Sequence, residues 1–487
     1  MRGTTRFNAR SIASALERID MIDDGARLSP ARLIGFTSPA VPVAAIGLPF
    51  IVHLPPYYVS ELGLGLGTVG LIFLLVRAID LPLDPLLGHF IDRTDGRIGR
   101  FRPWLLGGGL IMIVAAYLVF MARPGITPVT AFAALMMLYA GLSSFQLSHF
   151  AWASTLSADY DQRSRIFGWL QTMAVFGMIL VLLLPPLASW ALGTKSAASG
   201  VHAMGWFVIA TVPVSVLLVI ATTREPSRKV THREPRLRDV TELFRNPLMM
   251  RLLLADMLAG IAPGITGSLF IFYFEHRLGF GASVASLLLL VYFVAGMIAA
   301  PLWMRLAVRI GKHQAATAAA LTFCVTNGAV VLLPTNDMAS AVVGMAFAGL
   351  PYAAFPFLMR AMLADVIDVD RLATGMDRTG LFSAVLTTTS KVAHAVPIGI
   401  IYPILGLIGF NGKTGTTNTP EAIAGLVVLF VGAPVLVMLA AAWVVSRWPH
   451  GAREHAAVQA ALAERAASAE MPSAQYSSAA PNAAYAT

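Results

Sequence analysis

Leu75-Val76-Arg77-Ala78-Ile79-Asp80-Leu81-Pro82-Leu83-Asp84-Pro85-Leu86-Leu87-Gly88 places three charges inside an otherwise apolar run. The run extends over 66–90, and ~20 mostly apolar residues suffice for a helix to cross ~30 Å of hydrocarbon. At helical spacing Arg77, Asp80 and Asp84 stand at i, i+3 and i+7, on one face. A lone charge at the bilayer centre costs at least ~2.5–3.5 kcal/mol on insertion scales, so such residues face the protein interior and mark ion or proton paths. Pro82 and Pro85 remove backbone donors, and the carbonyls they free could help hold a cation. One Asp with Arg77 would make an internal salt bridge that locks the bundle. Two carboxylates against one Arg leave an excess negative charge, which calls for a proton or a cation.

Eleven similar runs accompany this one. Candidate spans read as 32–54, 66–90, 103–122, 129–150, 166–189, 203–222, 249–274, 281–304, 314–334, 339–361, 379–406 and 422–446. Only a helix satisfies its own backbone in lipid without closing a barrel, so the expected fold is all-α, with twelve transmembrane helices. Composition agrees: of 487 residues 57% are hydrophobic and 13% charged, about half the charged fraction of a soluble domain. A soluble protein this apolar would leave large greasy patches in water. The formal net charge is +9, but the Lys and Arg lie in short loops, where they set orientation rather than bind nucleic acid. Cys324, the single cysteine, rules out an intrachain disulfide. The first 30 residues lack a short apolar core ahead of a small-residue cleavage site, so no cleavable signal peptide is expected.

The loops fall into two alternating sets. One holds Arg93, Arg97, Arg100 and Arg102, then Arg163 and Arg165, then the run from Arg224 to Arg238, then Arg305, Arg309 and Lys312, then Arg371 and Arg378. The other holds little beyond Arg123, Lys195, Arg277 and Lys413. The positive-inside rule puts the first set and both termini in the cytoplasm, with the protein in the cell (inner) membrane.

The hydrophilic stretch 223–247 divides six spans from six. The expected organisation is a cytoplasmic segment 1–31, a six-helix bundle 32–222, a linker 223–247, a second bundle 248–447 and a tail 448–487, disordered toward its end. A weak repeat supports the division: Ala158-Asp159-Tyr160-Asp161-Gln162-Arg163 follows span 4, and Ala364-Asp365-Val366-Ile367-Asp368 follows span 10. Two related six-helix halves are a recurring transporter architecture.

Span 11 carries Lys391 and His394 in Thr387-Thr388-Thr389-Ser390-Lys391-Val392-Ala393-His394. An isolated Lys in an apolar helix needs an anionic partner, and Asp80 or Asp84 is the candidate; the alternative is snorkelling to a headgroup. His394 reads as a satisfied interior histidine before a proton relay, because one titratable group defines no route. Asp256, near the cytoplasmic end of span 7, is a lesser candidate, and Glu275 near the opposite interface reads as solvated.

Gly88-His89-Phe90-Ile91-Asp92-Arg93-Thr94-Asp95-Gly96-Arg97 resembles the span 2–3 loop signature of the major facilitator superfamily. The longer string, Asp80 to Asp84-Pro85, Gly88, Asp92-Arg93-Thr94 and Gly99-Arg100-Phe101-Arg102-Pro103-Trp104, resembles the glycoside-pentoside-hexuronide:cation symporters, the family of melibiose permease. The likeness covers spans 1–11. It implies two pseudo-symmetric six-helix bundles and a cytoplasmic gate at Gly88, Asp92, Arg93, Arg97, Arg100 and Arg102. It also implies a coupling-cation site at Asp80 and Asp84 with Lys391 close by, and a sugar stacked on Trp152.

The sequence departs from that family in ways that bear on chemistry. Leu83 stands where sodium users place an Asn, and Phe145 where a Thr helps hold sodium, with Ser144 and Gln146 adjoining. Sodium wants several oxygen ligands and a proton one carboxylate, so proton coupling is expected before sodium. Ala44, Ser148 and Gln171 stand near the family's acid, second carboxylate and arginine. The polar groups left for a substrate are Gln146, Ser148, His149, Trp152, Gln171, Tyr352 and His394. The expected function is cation-coupled symport of a small organic solute, a sugar or glycoside, by alternating access, without a cofactor or a nucleic-acid partner, by a monomer in contact with lipid. Rival readings are an uncoupled facilitator or exporter of the same fold, a symporter of an amphiphile, and, remotely, an intramembrane transferase. The last would want clustered His, Asp or Glu with a metal or nucleophile, and His53, His149 and His394 sit on different spans without such a motif.

Overall fold

The computed structural model describes residues 28–94, 96–157, 160–193, 196–225, 237–376, 378–413 and 415–470. Most of the N-terminal cytoplasmic segment, Asp95, Ala158-Asp159 of the repeat, Lys195, most of the linker and the end of the tail lie outside the described residues. Among the described residues, twelve helices are long and apolar enough to cross a membrane: Pro30–Val52, Leu66–Arg93, Arg102–Phe120, Pro128–Thr155, Arg165–Leu192, Ala197–Thr222, Pro247–His276, Ala282–Ile310, Lys312–Leu332, Met338–Thr374, Thr379–Leu407 and Pro420–Ser446. The protein is all-helical, with every expected span in place.

Local chemistry sets many of the ends. Thr127, Ser196, Asn246 and Thr419 cap spans 4, 6, 7 and 12 by accepting backbone N–H groups of the first turn; each gives a partner to at least one of the four donors a helix start leaves unbonded. Gly375, with φ of 70°, closes span 10 in the left-handed conformation that favours glycine. That span differs from the expected 339–361. It runs to Thr374 and breaks into Met338–Gly349 and Ala354–Thr374, with Pro351, which has no backbone N–H to give, in the turn between them. The second span behaves in the opposite way and stays helical through Pro82 and Pro85 from Leu66 to Arg93.

The chain packs into two compact units, Met1–Phe50 with Ala78–His232 and Ile51–Arg77 with Arg233–Thr487. In the first, spans 3 and 4 meet backbone to backbone. A Cβ at Gly108 would lie 2.8 Å from the Phe145 nitrogen, and one at Gly141 2.9 Å from the Met112 nitrogen. Small residues permit such approach where lipid offers no hydrophobic drive.

The second unit differs from the contiguous division at 223–247 in taking in residues 51–77. His53 Nε2 lies 3.0 Å from the Ser286 hydroxyl, Ile51 and Val52 meet Gly267, and Leu74 meets Gly399. The tail helix Ala452–Glu470 docks on the end of span 10. His455 Nε2 lies 3.3 Å from Asp365 and 3.9 Å from Asp368, and Gln459 Nε2 donates to Asp368 at 2.7 Å. At the helix start Glu454 accepts its own backbone N–H and that of Gly451, which together hold its carboxyl below the usual range.

Candidate functional site

The unbroken second span places Asp80 and Asp84 one turn apart on one face. Asp80 is 0% exposed, and Ser143 of span 4, itself buried, donates its hydroxyl to Asp80 Oδ1 at 3.0 Å. Asp84 is half-buried. Pro82 and Pro85 leave the carbonyls of Ala78 and Leu81 without their helical donors. The first unit therefore gathers two carboxylates, a hydroxyl and helix carbonyls along one stretch of span 2, a set that can take a proton or a small cation. Sequence reasoning looked to Ser144 and Gln146 for the span 4 oxygen. The structure turns Ser144 to the Trp104 carbonyl at 3.2 Å and buries Phe145 completely. Ser143 is the residue that reasoning missed; a single Ser in an apolar helix carries no signal until the register of spans 2 and 4 is known.

Arg77 and Lys391 come together in the second unit. Arg77 Nε and Nη2 donate to the Lys391 carbonyl at 3.3 and 3.2 Å. This pairing fixes the turn of span 11 from which Lys391 projects.

The gate residues form a pinned loop in the first unit. Arg100 pairs with Asp92 and donates Nε to the Ile91 carbonyl at 3.2 Å. Arg102 Nη2 donates to the Thr223 carbonyl at 3.1 Å. Arg93 and Arg97 are exposed, and Gly88 has open space around it. Glu225 also enters this loop and was not foreseen. Its carboxylate accepts the backbone N–H groups of Arg100, Phe101 and Arg102 at 2.6, 2.5 and 2.8 Å, at the donor-rich start of span 3. Gly99, at φ of 108°, turns the chain so that the three donors converge, and a Cβ there would overlap Glu225.

A second latch ties the start of span 11 to the short helix Leu237–Arg245. Arg378 donates to Asp370 at 3.0 Å through Nε and 2.5 Å through Nη2, and to Glu242 at 3.1 Å. The Asp370 hydrogen bonds raise the Arg378 pKa above its ordinary value.

The substrate candidates fall in two places. Ser148, His149 and Trp152 are buried in the first unit with partners of their own. Ser148 Oγ donates to the Phe145 carbonyl at 3.1 Å, and His149 Nε2 to the Phe36 carbonyl at 2.7 Å. Trp152 lies edge-on to Phe36 and stacked on Phe101, with Arg102 5.8 Å from its ring. Gln146 is half-buried and Gln171 exposed. Tyr352 and His394 instead line a cavity of about 210 Å³ in the second unit, together with Asp256, Arg360 and Ser390.

Twelve crossing helices with buried charge inside them and irregular turns beside a cavity define a polytopic transporter. The sequence model of the family described as MFS/sugar transport protein matches residues 35–451. The chain belongs to that family. The raffinose carrier protein of Pediococcus pentosaceus is 25% identical over 399 residues, 78% of this chain and 61% of that protein. This chain thus spans about three fifths of the raffinose carrier's length. An uncharacterized symporter of Bacillus subtilis, YnaJ, is 23% identical over 428 residues, 85% of this chain and 90% of the relative. The crystal structure of the nucleoside transporter NupG shares the fold, with a TM-score of 0.62 at 15% identity, over 85% of this chain and 99% of that one. With its membrane-crossing helices, the chain is an integral membrane member of that transporter family.

Proposed function

We propose that the protein is a symporter that couples entry of a cation at Asp80 and Asp84, a proton before sodium, to transport of a sugar-like solute. The observation that carries the reading is the wholly buried Asp80 carboxylate in an apolar span, held by Ser143 at 3.0 Å with a second carboxylate one turn on. Such a pair is costly in the membrane unless it binds something positive. The sugar side rests on the family's description and on the raffinose carrier among its relatives. The preference for a proton rests on Leu83 and on the apolar, buried Phe145 beside Ser143 and Ser144, which leave few side-chain oxygens for sodium.

In this mechanism cation uptake cancels the excess negative charge of span 2 and favours the same closed state as the bound solute, so each raises the other's affinity. Arg77 positions the turn that bears Lys391. The Asp92–Arg100 pair and the Glu225 clasp then release, and the inner side opens. The site belongs to the cell (inner) membrane with both termini cytoplasmic, by the distribution of loop arginines.

Thermal unfolding of purified protein against raffinose, lactose and phenyl glucuronide tests the reading. A sugar-specific rise that grows as pH falls or sodium is added supports it. A flat response to every sugar under every cation condition refutes it.

A further inference from the structure

The geometry points to a sugar-ring subsite wholly within the second unit, with Asp256 as its hydroxyl-accepting carboxylate and Tyr352 as its stacking face. This rests on the sugar-symport reading above and adds where the ring is held. The cavity of about 210 Å³ opens among spans 7 to 12. Asp256 is the tenth residue of Pro247–His276, ~14 Å along the helix from its start. Sequence reasoning ranked it low for standing near a helix end, but the structure sets it on the cavity wall.

Ser390 Oγ donates to Asp256 Oδ2 at 2.6 Å. A carboxylate has about four lone-pair positions, so one hydroxyl leaves capacity for a ligand. The Ser390 carbonyl meets His394 Nδ1 at 2.8 Å. A carbonyl only accepts, so Nδ1 carries a proton and donates. Arg360 adds guanidinium donors to the same wall.

The opposite character comes from aromatic rings. Tyr352 lies 5.4 Å from Tyr292 and 4.7 Å from Phe293 between ring centres. The break in span 10 places Tyr352 there, and spans 8 and 10 meet without side chains between them: a Cβ at Gly349 would sit 2.0 Å from the Tyr292 carbonyl oxygen.

A sugar ring matches this arrangement. Its C–H face covers an aromatic ring, and adjacent hydroxyls bridge a carboxylate and a guanidinium through charge-assisted bonds. The cavity is smaller than the ~300 Å³ at which drug-sized pockets begin, which favours one ring over a long amphiphile. Ala44, Ser148 and Gln171 leave the first unit without the charged sugar partners that the family resemblance places there. Asp256 and Arg360 supply that chemistry from the other unit.

The test is calorimetric binding of raffinose, lactose and phenyl glucuronide to the full-length protein in nanodiscs. Asp256→Asn, which keeps shape and volume, should weaken the bound probe roughly ten- to hundredfold, and Tyr352→Leu about tenfold. The sugar-free thermal midpoint and its response to pH and sodium should hold, and Asp256→Glu should restore part of the affinity. A probe bound by wild type with Kd within about twofold in Asp256→Asn overturns the subsite while leaving the symport reading intact. A purely structural tie between spans 7 and 11 would show this pattern, with the midpoint falling instead. Failure of wild type to bind any of the three probes overturns both.

Discussion

Ser143→Ala isolates the hydrogen bond on which the proposed coupling site turns. The hydroxyl donates to Asp80 Oδ1 at 3.0 Å, and both groups are buried. A hydrogen bond to a charged group contributes ~1.5–3 kcal/mol, and here it favours the ionised carboxylate over the protonated acid. Its loss should raise the site's affinity for a proton by roughly 10- to 150-fold, at about 1.4 kcal/mol per factor of ten. Initial uptake into proteoliposomes of a probe sugar that the protein binds, followed against external pH, reads this directly. The profile of Ser143→Ala should move toward alkaline pH by roughly one to two units, while Ser143→Thr, which keeps the hydroxyl, should stay near wild type. Superimposed profiles for Ser143→Ala and wild type, or a displacement toward acid, would refute the reasoning.

Two more outcomes concern the latches at the helix ends. Arg378→Ala strands the Asp370 carboxylate, 8% exposed beside a guanidinium only 10% exposed, and breaking such a pair costs about 3–5 kcal/mol. The thermal midpoint in detergent should fall by several degrees, with Arg378→Lys intermediate; an unchanged midpoint contradicts the anchor. Glu454, its pKa lowered by backbone N–H groups, supports the tail helix above the ordinary glutamate value of 4.5, and that support is lost as pH falls through the lowered folded value. A spin label at Ala457 should therefore gain mobility on acidification below that range in wild type and much less so in Glu454→Gln; equal responses in both refute the assignment.

The spans were legible because lipid imposes one rule on every crossing segment, a long apolar run with helical hydrogen bonding. The structure moves most of their ends by only a few residues, and the large departure is span 10, where the turn containing Pro351 divides the helix and Gly375 stops it. Asp80 and Asp84 were legible because charge inside an apolar run stands out against its neighbours. Ser143 and Glu225 were not, and Asp256 stood out only as a lesser candidate, since each acts through a partner distant in sequence: a carboxylate 63 residues away for Ser143, three N–H groups for Glu225, Ser390 for Asp256. The same limit explains why residues 51–77 group with the second unit. Glycines at 70, 267 and 399 make that packing, and a glycine in an apolar span does not name the helix it will touch.

Gradient-driven accumulation in proteoliposomes of a probe sugar that the protein binds, wild type against an Asp80→Asn, Asp84→Asn double variant, bears most directly on cation coupling. The account predicts that wild type concentrates the sugar on an imposed inward proton or sodium gradient, while the double variant exchanges sugar in counterflow yet only equilibrates it. Accumulation that persists in the double variant at the wild-type level would contradict it.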